Sequence, residues 1–159
     1  MSNSNNAEIA RKSFETICRV LDEHDWKYTK HPEDMVVVCS ARGDDIPMEV
    51  VTNVDEGRMN VKARSILPFE VPEDKRIDFA LAISTINTTV VNGCFEYDIS
   101  AGRVLFRISN SLVEGVISDD AVLYIYMAAF HIIDEYNDKL LMLAKGVITI
   151  EQFIASVSN

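Results

Sequence analysis

His131, Asp134 and Glu135 are the side chains in this 159-residue sequence whose types and spacing come nearest to a metal site. His131 and Glu135 lie one helical turn apart and could share a cation, yet two or three ligands on one helix leave a coordination sphere unfilled. His24 and His31 would have to be brought in from elsewhere. The expectation is therefore a histidine at the edge of a helix-packing seam. Asp22, Glu23 and Asp25 offer carboxylates for acid–base work, but nothing in the sequence supplies the apolar pocket that would separate their pKa values. They read as a solvated helix end, and Asp44-Asp45 and Asp55-Glu56 as turn residues. Cys18, Cys39 and Cys94 form no C-x-x-C pair and sit among apolar neighbours, as small buried hydrophobes do. There is no P-loop, no dinucleotide-binding glycine motif, no G-x-S-x-G and no H-E-x-x-H. No catalytic residue, metal or cofactor is expected, and the chain is not expected to be an enzyme.

Two features point to binding instead. Arg58, Lys62 and Arg64, with Lys75 and Arg76, could form a positive stripe that meets an acidic or phosphorylated partner, or be merely the wet face of a one-sided sheet. The stripe stands out against a net charge of −10, from 15 Lys+Arg against 25 Asp+Glu. That charge repels phosphate backbones and anionic lipid, so neither nucleic acid nor membrane is an expected partner. The second feature is apolar. From Val122 to Ile133 a long helix is apolar nearly all round. Leu123, Tyr124, Met127 and Ala128 lie off its stripe of Val122, Tyr126, Phe130 and Ile133. Either that helix is central or its extra face is a partner surface. The expected partner-binding residues are Leu123, Tyr124, Met127, Arg58, Lys62 and Arg64.

Periodicity supplies the elements that would position them. Hydrophobic residues make up 48% of the chain, which argues against disorder. One domain over residues 7–158 is expected, with residues 1–6 a disordered polar tip and a cytoplasmic location. Ala10, Phe14, Ile17 and Leu21 mark a helix from Ala7 to about Asp25. Strands follow at Met35–Cys39, at Ile46–Thr52, where Pro47 confines the strand start or an edge, and at Arg58–Arg64. Pro68 to Pro72 breaks the last of these and opens a second helix that carries Phe79, Ile83 and Ile86 and fails near Asn87. Phe95–Ile99 and Arg103–Ile108 alternate as a hairpin. Closing it on Ala101-Gly102 sets Tyr97 opposite Phe106 and Glu96 opposite Arg107. Ser118 caps the long helix, Gly146 stops it, and Thr149 to Gln152 is a capping box for a tail helix. The order α-β-β-β-α-β-β-α-α makes an α+β fold: a mainly antiparallel sheet with helices packed on one face.

These residues resemble the YbjN-like family of candidate bacterial sensory-transduction regulators, whose fold is similar to that of type III secretion chaperones. The resemblance rests on Trp26 after the first helix, Leu67-Pro68, Val71-Pro72-Glu73-Asp74-Lys75-Arg76 and Asn87. It continues through Phe95-Glu96-Tyr97-Asp98, Gly102 and Val104-Leu105-Phe106-Arg107 to Ser118 and the helix bearing Asp134, Tyr136 and Leu140. It spans about Trp26 to Gly146 and carries no catalytic signature. It implies a non-enzymatic, homodimeric module that binds a protein client or regulatory partner. A small-molecule-sensing domain, with its ligand between sheet and helices, is the alternative.

Overall fold

Alternating apolar residues build a six-stranded, wholly antiparallel sheet in the order β1-β2-β3-β4-β6-β5. The computed structural model describes residues 3–44 and 46–158. Along them run α1 (Asn3–Glu23), β1 (Tyr28–His31), β2 (Val36–Arg42), β3 (Pro47–Asp55), β4 (Asn60–Glu70), a 3-10 turn (Glu73–Lys75), α2 (Arg76–Asn87), β5 (Cys94–Asp98), β6 (Arg103–Ser111), α3 (Asp119–Ala144) and α4 (Ile150–Val157). Val37, Cys39, Val50, Val54, Val61, Ala63, Phe106 and Ile108 are buried on one face of the sheet. The helices cover that face: Ala10, Phe14, Ile17 and Leu21 of α1, Phe79, Ala82, Ile83 and Ile86 of α2, and Val122, Tyr126, Ile133 and Leu140 of α3 join the same buried cluster. This is the expected α+β layer, with β1 as one short strand more than the sequence announced.

Caps fall where the sequence places them. Ser118 accepts a hydrogen bond from the Ala121 N–H at 3.3 Å, and Thr149 and Gln152 form a reciprocal capping box. Gly146, at φ 70°, lets the Val147 N–H reach back to the Met142 carbonyl and end α3. Across the layers, the buried Tyr126 hydroxyl donates to Thr52 Oγ1 at 2.7 Å and pins α3 to β3.

Four local expectations differ from what is observed. Asn3 to Asn6, expected to be disordered, continue α1; Met1 and Ser2 of that tip lie outside the described residues. β4 does not break at Pro68. It runs on to Glu70 through an irregularity in its register with β6 between Ile66 and Glu70, the kind of place where a missing proline N–H interrupts no ladder. β1 is short and mostly exposed, so it has no apolar alternation to betray it; Tyr28 is held instead by its hydroxyl, which bonds Asp22 Oδ1 at 2.9 Å.

The hairpin register is shifted by two residues: Tyr97 pairs with Val104, Phe95 with Phe106 and Glu96 with Leu105. Asp98 causes this. Its carboxylate accepts from the Ser100 and Ala101 N–H groups and the Ser100 hydroxyl, closing a four-residue loop from Ile99 to Gly102. A shift of two preserves the faces, so Tyr97 and Phe106 still point the same way, and Glu96 still pairs with Arg107, diagonally. Gly102, at φ 70°, lies so close to the chain before α2 that a Cβ there would meet the Val71 carbonyl at 2.5 Å.

Candidate partner-binding site

Two residues past the end of α1, Asp25 takes the left-handed φ of 56° that aspartate tolerates, and the Trp26 N–H then donates to the Leu21 carbonyl at 3.0 Å. That geometry turns Trp26 onto α3. Its ring meets Tyr126 edge-on and Phe130 at a tilt, each at 5.6 Å between centroids. The β2–β3 hairpin closes the other side. Asp134 of α3 accepts from the Asp44 N–H at 3.1 Å, and Gly43 lies so near that a Cβ would collide with the Asp134 carboxylate. Between them is an open cleft of about 450 Å³ with Trp26, Met48, Met127 and Phe130 as its apolar lining. Lys27, Arg42, Asp44, His131 and Asp134 supply its polar side.

Of the residues expected on α3, Tyr124 is 50% and Met127 60% exposed. Leu123 and Ala128 are half-buried against the core, so the bare strip is narrower than the sequence implied. The basic stripe is dispersed. Arg58 sits in the β3–β4 turn, paired with Asp55 at 2.9 Å, and holds that carboxyl below its usual range. Arg76 is used structurally, donating to the Ser100 carbonyl at 2.6 Å. Lys62 and Arg64 do share the outer face of the sheet, the side away from α3. That face is less polar than expected: Val51 stands beside Arg64 in register, and Leu105 beside an exposed Ile66.

The metal candidates diverge. His131 projects into solvent with its Nε2 3.9 Å from Glu135 Oε2, and Asp134 is engaged with the hairpin tip. Among the described residues, no group of three or more His, Cys, Asp or Glu side chains could hold a metal ion. Burial pushes the Cys39 thiol up to about 11 and raises that of Cys18 as well. Cys94 is half-buried, with the Arg107 guanidinium 3.7 Å from its sulfur.

Two features were hidden from the sequence. Trp26 is a packing anchor, as its type suggests, but its exposed part also lines the cleft. Asn87 closes the outer edge of β5: its amide accepts from the Phe95 N–H at 2.8 Å and donates to the Phe95 carbonyl at 2.9 Å. The only sequence sign of this role was Asn87's place in the resemblance.

No described helix is long and apolar enough to cross a membrane. No protein-family model matches the chain, and a comparison with curated proteins finds no match in sequence. A crystal structure of YbjN from E. coli, described as a candidate transcription regulator, superimposes with a TM-score of 0.58 over 79% of this chain and 92% of that one, at 12% identity. The chain thus has the YbjN-like α+β fold, a likeness of fold alone at this identity.

Proposed function

We propose that this chain is a non-catalytic, homodimeric, cytoplasmic module that binds a protein client or regulatory partner through α3. The observation that carries this is the exposure of Tyr124 and Met127 on a helix whose opposite face is wholly buried. Large apolar side chains left bare in this way gain stability when a second surface covers them. The net charge of −10 favours a protein partner over nucleic acid or anionic lipid. A regulatory role akin to that described for YbjN would then run through a protein contact. Lys62 and Arg64 on the outer sheet face offer a second contact for an acidic partner.

The test is recovery of the tagged full chain with its partners from its native cell. Tyr124→Asp and Met127→Asp, shown by circular dichroism to be folded, should lose those partners. Folded variants that keep every partner would overturn the proposal. Sedimentation at micromolar concentration should give the mass of two copies; the mass of one copy counts against the dimer. The small-molecule-sensing alternative has the 450 Å³ cleft in its favour, a size within the range of ligand sites. A stoichiometric small molecule in the native mass spectrum would favour it.

A further inference from the structure

We infer that the cleft between α3 and the end of β2 takes an extended peptide segment bearing a large apolar residue beside a carboxylate. This rests on the protein-binding function proposed above and names the partner's chemistry at a place separate from Tyr124. The first ground is an open strand edge. β1 pairs only with Val36 to Cys39, while β2 runs on to Arg42. The Ser40 N–H donates to the Lys27 carbonyl at 3.4 Å, so the next backbone groups on that side, those of Arg42, face past the end of β1. Unpaired strand groups are what an extended peptide adds to. The opposite edge of the sheet is less available, because Asn87 holds both outward backbone groups of Phe95.

The second ground is what lies beside that edge. Trp26, Met48, Met127 and Phe130 give an apolar, adaptable lining of the kind that accepts one large side chain. The third is charge. Lys27 and Arg42 line the cleft, and neither has an ion-pair partner among the described residues. The cleft also holds two carboxylates. Asp134 is bound to the Asp44 N–H and fixes the hairpin tip, and Asp44 sits on that tip, so a partner carboxylate belongs at the Lys27 and Arg42 side.

The test pans a random peptide library against the full chain and measures recovered peptides by fluorescence anisotropy. They should share a Trp, Phe or Leu beside Asp or Glu. Arg42→Glu and Met127→Glu, both at exposed positions, should each weaken them by about tenfold or more, and Glu56→Lys, in the exposed β3–β4 turn, should not. Amide signals of Arg42, Gly43 and Met127 should move on binding. Failure to enrich any peptide, enrichment of basic peptides, or affinity unchanged by both variants would overturn the inference. So would a small molecule found to fill the cleft. Native partners kept by a folded Tyr124→Asp while peptides are still enriched would overturn the α3 surface alone, and native partners lost by that variant while the parent chain enriches no peptide would overturn this inference alone.

Discussion

Asn87 bonds both backbone groups of Phe95, a residue only 2% exposed, from the last residue of α2. Asn87→Ala removes both bonds. Each is worth about 0.5–1.5 kcal/mol net, and a buried donor or acceptor left unmade adds a desolvation cost of about 1–3 kcal/mol. Asn87 itself is half-buried, so water can reach part of the gap. The expected loss is therefore about 2–4 kcal/mol, from a total of roughly 5–15 kcal/mol for a domain. At about 2–4 °C per kcal/mol for a chain of this length, the melting temperature should fall by about 4–16 °C. The exposed edge of β5 should also promote concentration-dependent association. Asn87→Asp keeps an acceptor for the Phe95 N–H but turns a carboxylate oxygen toward the Phe95 carbonyl. With two acceptors facing each other there, this variant too should be less stable than the parent. Urea melts measure both variants. A cost below about 0.5 kcal/mol for Asn87→Ala, near the scatter of neutral surface changes, would refute the edge-closing role.

Three further outcomes test the account. Tyr126→Phe and Thr52→Val should each cost about 1–3 kcal/mol in urea melts by orphaning a buried hydroxyl, while the double variant costs less than the sum. The Ser100 hydroxyl, then the Ala101 N–H, hold the Asp98 carboxyl below the usual aspartate range. The hairpin loop is thus supported above the unfolded pKa of about 4 and loses that support as pH falls through the lower folded value. Ser100 and Ala101 amide shifts should follow that midpoint, and Asp98→Asn should abolish it. A maleimide should label Cys94 in the folded chain and spare the buried Cys18 and Cys39 until denaturant is added, as mass spectrometry of digests would report.

Elements with strong periodicity or chemical caps were legible in the sequence. The α1 stripe, the Ser118 and Thr149 caps and the faces of β3, β4 and β6 follow from residue types alone. What escaped depended on contacts between distant segments. β1 exists because β2 needs a partner and Tyr28 can reach α1, and neither leaves a pattern in Tyr28-Thr29-Lys30-His31. The hairpin register was decided by one carboxylate in the turn rather than by side-chain pairing, since both registers place aromatics inside. Tyr124 and Met127 were visible as apolar residues off the helix stripe. That Leu123 would be half-covered, and that Trp26 and the Gly43–Asp44 tip would wall a cleft beside Met127, required the packing of α1 and the β2–β3 hairpin onto α3. The dispersal of the basic residues was equally invisible, because Arg58 and Arg76 are drawn off by partners close in space.

Photo-crosslinking in the native cell, from a benzoylphenylalanine placed at Tyr124, tests the exposed face of α3 most directly. A second placement at Glu56, in the exposed β3–β4 turn, is the control. A discrete protein adduct should form from position 124, either a second copy or a distinct partner, and should disappear when Met127→Asp is added. No adduct at 124, or one that survives Met127→Asp in a folded chain, would contradict a docking role for this helix.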